Sequence, residues 1–268
     1  MPSAHKNNKN NENTNVSRAP GNAAAKQTPP DVLTIAPIAR IKNDFKEKFG
    51  IPRQSGRART LSEIVFLPPY DVPEAVRKIE GFSHLWLIFG FSLNEAFAIA
   101  ADESDESARK FSPLVRPPRL GGNEKAGVFA TRSPFRPNPL GLSCVRLEKV
   151  LIRRETGVSL LVSGADLADG TPIYDIKPYL PSADKIENAS GGFSEKTTAY
   201  ALRVDFPERL LEKIPAEKRD GLIDCLKDDP RPAYQSDPER IYGMRFASFN
   251  VRFKIADGTL FVINVAAD

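Results

Sequence analysis

Residues 127–143 read GVFATRSPFRPNPLGLS and place three prolines and two arginines between two apolar runs that are typical of strands. Each proline fixes φ at about −65° and removes a backbone N–H, so the connection is rigid and leaves carbonyls and side chains available to a ligand. This pattern predicts a braced, cationic turn that presents Arg132 and Arg136 at the edge of a β-structure. The alternative is a tight connection whose arginines are only solvated.

On both sides of this turn, short runs rich in Val, Ile, Leu and Phe are separated by Gly and Pro. Such spacing is typical of short strands that are joined by turns. We predict one antiparallel or mixed β-barrel, with strands at residues 32–41, 62–67, 84–91, 126–131, 142–152 and 158–163. Residues 73–81 have proline near their start and end in glycine, which predicts a short helix between the second and third strands.

The end of the chain has a different pattern. A strand is expected at residues 197–206, followed by helices at 207–214 and 216–228 and by a hairpin over 241–265 that turns at Asp257 and Gly258. The predicted fold class is therefore mainly β, with a barrel domain over residues 32–187 and a small α+β domain over residues 193–268. Residues 188–192 are a natural linker, residues 94–112 an acidic solvated loop, and residues 1–31 a disordered tail.

Composition narrows the class of protein. The 268 residues, 41% of them hydrophobic, suffice for one barrel and a small second unit. No apolar run approaches the roughly 20 residues that span a bilayer, and no signal-peptide core follows Met1, so a soluble, cytoplasmic protein is expected. Two cysteines and two histidines at these spacings do not form the usual zinc site, and no metal is expected. The net charge of +4 is modest, so phosphate binding would depend on a local basic surface.

The sequence also lacks the glycine-rich turn and acidic partner of a Rossmann cofactor domain. A second proline-rich run, DLADGTPIYDIKPYLP at residues 166–181, gathers acids and aromatics at a chain reversal. Together with PRQSG at 52–56, GFSHLW at 81–86, RPPRLGGN at 116–123, DPRPAY at 229–234 and FNVRF at 249–253, it resembles the TrmO family. The resemblance covers nearly all of the chain except the N-terminal tail.

The resemblance implies an enzyme that uses S-adenosylmethionine to methylate N6 of threonylcarbamoyladenosine at position 37 of a threonine tRNA. It also implies a non-Rossmann β-barrel and a homodimer with the cofactor near the subunit interface. The cofactor-binding residues that it implies are Gln54, Ser55, Gly56, Phe91, Ser92, Arg132, Leu142, Gly164, Ala165 and Asp166. Gly56 is equally compatible with an ordinary turn, and Phe91 with a core position.

Chemistry gives two of these residues a definite role within the resemblance. The planar guanidinium of Arg132 suits the carboxylate or ribose side of the cofactor, and Asp166 can accept hydrogen bonds from a hydroxyl or amino group. Ser92 stands where members of the family frequently carry histidine, so a contact there is weakened or made by the backbone.

Contacts to the anticodon loop of tRNA are expected from basic and aromatic side chains, since unstacked bases and phosphates are recognised in this way. The candidates are Arg116, Arg119, Arg136, Asp175, Arg231 and Tyr234. Asp175 could orient the acceptor amine or cap a turn, and Tyr234 could brace the domain junction. No general base is assigned. Two rival classes stay open: an S-adenosylmethionine-dependent enzyme acting on a small molecule, and a non-catalytic RNA-binding barrel.

Overall fold

The computed structural model describes residues 33–94, 112–117, 124–197, 200–232 and 235–268. The chain divides into two compact units, residues 1–34 and 35–268, and the second unit holds all of the structure considered below. The predicted disordered tail and nearly all of the predicted acidic loop lie outside the described residues. No helix among the described residues is long and apolar enough to cross a membrane.

The first sheet is a closed barrel of six strands in the order β1-β2-β7-β6-β3-β8. All of its neighbouring strands are antiparallel. The strands of the barrel are β1 (Ala39–Lys42), β2 (Leu61–Phe66), β3 (His84–Gly90), β6 (Leu140–Arg153), β7 (Gly157–Ser163) and β8 (Pro172–Pro178). A separate two-stranded ribbon pairs β4 (Leu114–Val115) with β5 (Ala126–Gly127). The predicted mainly β, non-Rossmann barrel is confirmed.

Alternation of side chains explains the core of the barrel. On β3, Leu85, Leu87 and Phe89 point inward and are buried, whereas the intervening residues face outward. At the start of β6, Gly141 and Ser143 take the inward positions. Gly141 lies opposite Phe89, and a side chain there would clash with the Phe89 ring. The small residue therefore makes room for the aromatic ring beside it.

The C-terminal part forms a four-stranded sheet in the order β10-β11-β12-β9 with helices against it. Its strands are β9 (Arg203–Asp205), β10 (Tyr242–Phe246), β11 (Phe249–Ala256) and β12 (Thr259–Ala267). The α-helices of the described residues are α1 (Pro181–Asp184), which precedes this part, α2 (Glu208–Leu211) and α3 (Ala216–Lys227). The hairpin turn at Asp257 and Gly258 is confirmed, and both residues have the positive φ that such a turn requires.

The connection between β1 and β2, residues 43–60, sends its buried apolar side chains away from the core of the barrel. Phe45 and Ala58 are buried in the hydrophobic core of the C-terminal sheet, and Phe49 and Ile51 pack against the same core. The Phe45 ring meets the edge of Phe246 with centroids 5.9 Å apart. This connection therefore ties one end of the barrel to the C-terminal sheet.

Several predicted elements differ in detail. Residues 128–130 form a 3-10 turn, so the predicted strand over 126–131 stops at Gly127. The predicted helix over 73–81 is two 3-10 segments, because Lys78 adopts a left-handed φ of 72° between them. The helix predicted over 207–214 shortens to α2, and the predicted strand over 197–206 to β9.

Besides the two-residue β4, two longer strands were absent from the sequence prediction. Residues 172–178 form β8, so the chain reversal predicted over 166–181 ends at Thr171. The predicted hairpin gains a third strand, because β10 turns back at Ala247 and Ser248 to pair with β11. β8 is bounded by prolines and β10 by a short turn. Because such residues usually indicate a loop, neither strand was predicted.

Candidate functional site

One rim of the barrel collects the connections that the sequence analysis singled out. At this rim β1, β3 and β7 end, whereas β2, β6 and β8 begin. The segments that leave or enter the barrel here are residues 43–60, 91–94, 131–139 and 164–171. Because antiparallel neighbours run in opposite directions, connections far apart in sequence meet at this single edge. All ten residues implied to bind the cofactor lie on these connections or, for Leu142, at the start of β6.

The frame of the rim is a close crossing of two backbone segments. The N–H of Gly56 donates to the carbonyl of Gly164 over 2.8 Å, and the N–H of Gly164 donates to the carbonyl of Thr60 over 3.1 Å. Both glycines have positive φ, 77° and 82°. A Cβ on Gly164 would lie 3.2 Å from the Cα of Gly56. The crossing therefore requires glycine at position 164 for both its conformation and its lack of a side chain.

Asp166 follows this crossing and is half-buried. The hydroxyl of Ser143, which points inward from β6, donates to Oδ1 of Asp166 over 2.5 Å. Burial raises the pKa of Asp166, and this rise is partly offset by hydrogen bonds from Ser143 and from backbone amides including that of Ser55, and by the charge of Arg132. The carboxylate therefore stands where residues of three different connections converge.

Arg132 reaches the same place from the proline-braced turn. Its Nη1 donates to Oε1 of Gln54 over 2.7 Å, although 78 positions separate the two residues in the chain. The turn is held by its own polar groups: the N–H of Ser133 donates to Oγ1 of Thr131, and Nη1 of Arg136 donates to the carbonyl of Thr131. Arg132 itself stays exposed. The predicted rigid, cationic turn is thus present, and its first arginine is oriented by Gln54.

The residues around the end of β3 contribute fewer polar groups to the rim than the segments described above. The Phe91 ring packs on the barrel core and meets the edge of Phe89 with centroids 5.2 Å apart. The Oγ atom of Ser92 lies 3.2 Å from Oγ1 of Thr171. Leu142, in contrast, is 54% exposed on the outer wall of the barrel. Phe91 therefore lies at the rim, as a cofactor-binding residue would, and also packs on the core, which was its alternative role.

Asp175 lies on β8, in a strand and not in the turn that the sequence suggested as an alternative. It is paired with Ile88 of β3, which on its other side is paired with Leu142 of β6. Its Oδ1 accepts from the N–H of Ile176 over 2.9 Å, and its Oδ2 lies 2.8 Å from Nζ of Lys177. Asp175 is therefore on the barrel wall, separated from Leu142 by Ile88 of β3, with both carboxylate oxygens engaged.

The residues proposed to contact tRNA are spread over two regions. Arg116 is exposed directly after β4, and Arg136 lies in the proline-braced turn. Arg231 sits at the junction with the C-terminal sheet, where its Nε lies 3.1 Å from both carboxylate oxygens of Asp229. Arg119 and Tyr234 lie outside the described residues.

Sequence reasoning missed three side chains of this region. Ser143, which donates to Asp166, has no local pattern that would have identified it. Phe129 and Phe135 are 72% and 58% exposed on either side of Arg132. Their interleaving with arginines was a readable signal, because exposed rings beside cations are typical of surfaces that bind unstacked bases.

Comparison with known proteins agrees with this geometry. Residues 40–185 match the family model of the tRNA-methyltransferase O N-terminal domain, and residues 199–268 match that of the TrmO C-terminal domain. The chain is 39% identical over 229 residues to the tRNA (adenine(37)-N6)-methyltransferase of Escherichia coli (strain K12), covering 82% of this chain and 92% of that one. It is 43% identical to the enzyme of the same name from Eikenella corrodens, covering 69% and 98%.

Solved structures give the same result. The crystal structure of TrmO from Pseudomonas aeruginosa matches with a TM-score of 0.66 and 32% identity over 88% of this chain and 100% of that chain. The two family models together span the barrel and the C-terminal sheet. The chain therefore belongs to the TrmO family.

Proposed function

We propose that this protein methylates N6 of threonylcarbamoyladenosine at position 37 of a threonine tRNA. The broader activity, S-adenosylmethionine-dependent methylation of adenine N6 in tRNA, is that of its family and of its relatives. The observation that carries the proposal for the site is the convergence of Gln54, Arg132 and Asp166 at one barrel rim. A non-catalytic RNA-binding barrel would have no need of this combination.

The groups at the rim fit S-adenosylmethionine. Arg132 offers a planar guanidinium to a carboxylate, and Asp166 offers an acceptor to a hydroxyl or amino group. The crossing of Gly56 and Gly164 lets backbone approach a ligand closely, and Leu142 adds exposed apolar surface. We assign the cofactor to Gln54, Ser55, Gly56, Phe91, Ser92, Arg132, Leu142, Gly164, Ala165 and Asp166.

When bound, the cofactor would supply an electrophilic methyl group on a sulfonium centre, with the thioether S-adenosylhomocysteine as the leaving group. The acceptor N6 is a weak nucleophile because its lone pair is delocalised into the purine, and it must lose a proton as its bond to the methyl carbon forms. Positioning of the acceptor is therefore the main task of the protein. Asp175, on the same barrel wall as Leu142 and separated from it by Ile88, is the side chain that we propose to orient the N6–H, and no residue is assigned as general base.

The tRNA is proposed to lie across the same rim. Arg116, Arg119 and Arg136 would contact phosphates from the barrel, and Arg231 and Tyr234 from the C-terminal part. The exposed rings of Phe129 and Phe135 are suited to stack on bases of the anticodon loop. The engagement of Arg231 with Asp229 favours an additional bracing role for this arginine.

We further propose that the protein works as a cytoplasmic homodimer, with residues 32–187 and 193–268 as its two domains. The support for a dimer is an outward row of partly exposed apolar side chains on β3 and β6, formed by Trp86, Ile88, Leu142 and Cys144. This row continues into the rim through Leu142, so a second copy on it would lie beside the cofactor. Light scattering of the purified protein measures this state directly.

The decisive experiment uses two tRNA pools and S-adenosylmethionine, with nucleosides identified by mass spectrometry. One pool comes from cells lacking their own enzyme of this family, and the other from cells that also lack threonylcarbamoylation. A methylated threonylcarbamoyladenosine from the first pool alone is expected. Methylation of unmodified adenosine in the second pool would overturn the proposed acceptor. Cofactor binding with no methylated nucleoside would favour a small-molecule substrate, and tRNA binding without cofactor binding would favour an RNA-binding barrel.

A further inference from the structure

The connection that carries Gln54, Ser55 and Gly56 has no regular secondary structure of its own. Residues 51–60 contain only turns and bends, although they hold part of the proposed cofactor site. A loop of this kind keeps one conformation only where side chains outside it fix its ends. Three arginines of the loop, Arg53, Arg57 and Arg59, extend away from the barrel toward the C-terminal part.

These arginines meet a row of carboxylates on one helix. Asp220, Asp224 and Asp228 are spaced by four residues, which places them on the same face of α3 and its C-terminal end. Arg59 pairs with Asp224 at 2.7 Å and with Asp220 at 3.3 Å. Arg57 pairs with Asp228 at 2.8 Å. The loop is thus bound along the length of the helix.

Asp228 differs from the other two acids. It is only 5% exposed, and it binds residues on both sides of the proposed cofactor segment. Its Oδ2 accepts from the backbone N–H of Arg53 over 3.1 Å, and its Oδ1 accepts from Nε of Arg57 over 2.9 Å. Arg53 also donates to the carbonyl of Arg231 over 2.7 Å. The carboxylate therefore fixes the positions directly before and after Gln54, Ser55 and Gly56.

The placement of Asp228 is unfavourable for the helix itself. A negative charge at a helix C-terminus opposes the helix dipole, and a buried carboxylate loses its hydration. Both costs are offset here by the amide of Arg53 and the guanidinium of Arg57.

We infer that Asp228 is a positioning residue for cofactor binding: from the C-terminal part it holds both flanks of residues 54–56, so that Gln54 meets Arg132 and Gly56 meets Gly164. The inference rests on the proposed placement of S-adenosylmethionine at this segment. It makes the C-terminal part a component of the cofactor site although none of its side chains is placed in that site.

The test compares Asp228→Ala with Asp220→Ala in the full-length protein. Asp220 belongs to the same row but is 73% exposed, and among the residues that the structure describes its only ion-pair partner is Arg59, so it is a matched control. Isothermal titration with S-adenosylmethionine and with S-adenosylhomocysteine gives Kd directly, and hydrogen exchange reports on residues 51–60. We expect Asp228→Ala to raise both Kd values by about tenfold and to speed exchange in this loop, with no change in the control. The KM for tRNA should change less than the KM for the cofactor, since general loosening of the fold would raise both.

A second variant keeps the inference testable if Asp228→Ala does not fold. Arg57→Lys keeps the positive charge but removes the paired guanidinium N–H groups that donate to Asp228. It should therefore also raise the cofactor Kd. Unchanged Kd values in either folded variant would overturn the inference. Gln54→Ala and Arg132→Ala are measured alongside. If these two variants also bind normally, the proposed cofactor site is wrong and the inference falls with it. If they bind weakly while Asp228→Ala binds normally, only the positioning role is lost.

Discussion

The hydroxyl of Ser143 lies 2.5 Å from Oδ1 of Asp166 and joins the start of β6 to the segment that follows β7. The bond supplies a donor to a carboxylate that burial makes harder to ionise. The proposed site needs this carboxylate as an acceptor for a ligand, whereas its burial disfavours the charged form. Binding and stability therefore place opposite demands on Asp166.

Replacing Asp166 by Asn separates these demands. Because the folded-state pKa of Asp166 is raised, the folded protein holds this proton more tightly than the unfolded chain, and stability falls as pH rises from the ordinary pKa through the raised one. Asp166→Asn has no ionisable carboxyl at this position, so its stability should not show this fall with pH. We expect a higher Tm than that of the parent protein at neutral pH, a difference that closes below the ordinary pKa, and a cofactor Kd raised by about tenfold or more. Calorimetry across pH and titration measure the two effects, and a lower Tm at neutral pH would contradict the role of burial.

Gly164→Ala tests the backbone crossing. At a φ of 82° an added Cβ is strained, and it would press on Gly56 at 3.2 Å. We expect a loss of about 1 kcal/mol or more in unfolding free energy and weaker cofactor binding. Gly170→Ala is the matched control, because Gly170 has a similar φ of 77° but no atom within 4 Å of the added Cβ. Equal losses of cofactor affinity in the two variants would show that the crossing itself is unimportant.

Arg132→Ala removes the guanidinium that Gln54 orients. If this group pairs with the cofactor carboxylate, the Kd for S-adenosylmethionine should rise roughly 10- to 100-fold, the range expected for a lost charge-assisted hydrogen bond. Arg132→Lys should recover only part of the loss, because an ammonium cannot form the paired contact. Arg146 is an exposed arginine on β6 and serves as the control, so Arg146→Ala should leave the Kd for S-adenosylmethionine unchanged. Intact affinity in Arg132→Ala would remove this residue from the cofactor site.

Contacts of Arg116 and Arg136 with tRNA phosphates predict a change in salt dependence. Each lost contact to a single-stranded region should make the slope of log K against log salt concentration less negative by roughly 0.7. Filter binding of tRNA by Arg116→Ala and Arg136→Ala at several potassium chloride concentrations measures the slope. Arg154→Ala is the control, because Arg154 is exposed in the turn between β6 and β7 at the opposite rim. A slope unchanged from that of the parent would exclude the contact.

The sequence was most informative where neighbouring residues carry the signal. The barrel was predictable because short apolar runs, such as residues 84–91, are separated by glycine and proline along the chain. β8 was missed because prolines stand at both of its ends, and proline usually marks a loop. In the C-terminal part, β11 and β12 were predictable from their turn at Asp257 and Gly258.

The geometry of the site depends on contacts between distant segments, and local patterns do not specify these. Family resemblance supplied Gln54, Arg132 and Asp166, yet nothing in the sequence links Ser143 to Asp166 or Arg57 to Asp228. The packing of Phe45 into the C-terminal core is equally invisible, because an apolar residue does not specify which core it joins.

The path of residues 43–60 also imposes an order on events during translation. Phe45 and Phe49 leave the ribosome early, but the strands that they pack against, including β11 with Phe253, are made last. Arg53 and Arg57, which flank residues 54–56, belong to the same early segment, and their partner Asp228 is made much later. Domains generally fold in the order in which they are made. In this protein the barrel emerges before the C-terminal part that its β1–β2 connection packs against, so we expect a nascent or truncated barrel to lack a finished form of the proposed cofactor site.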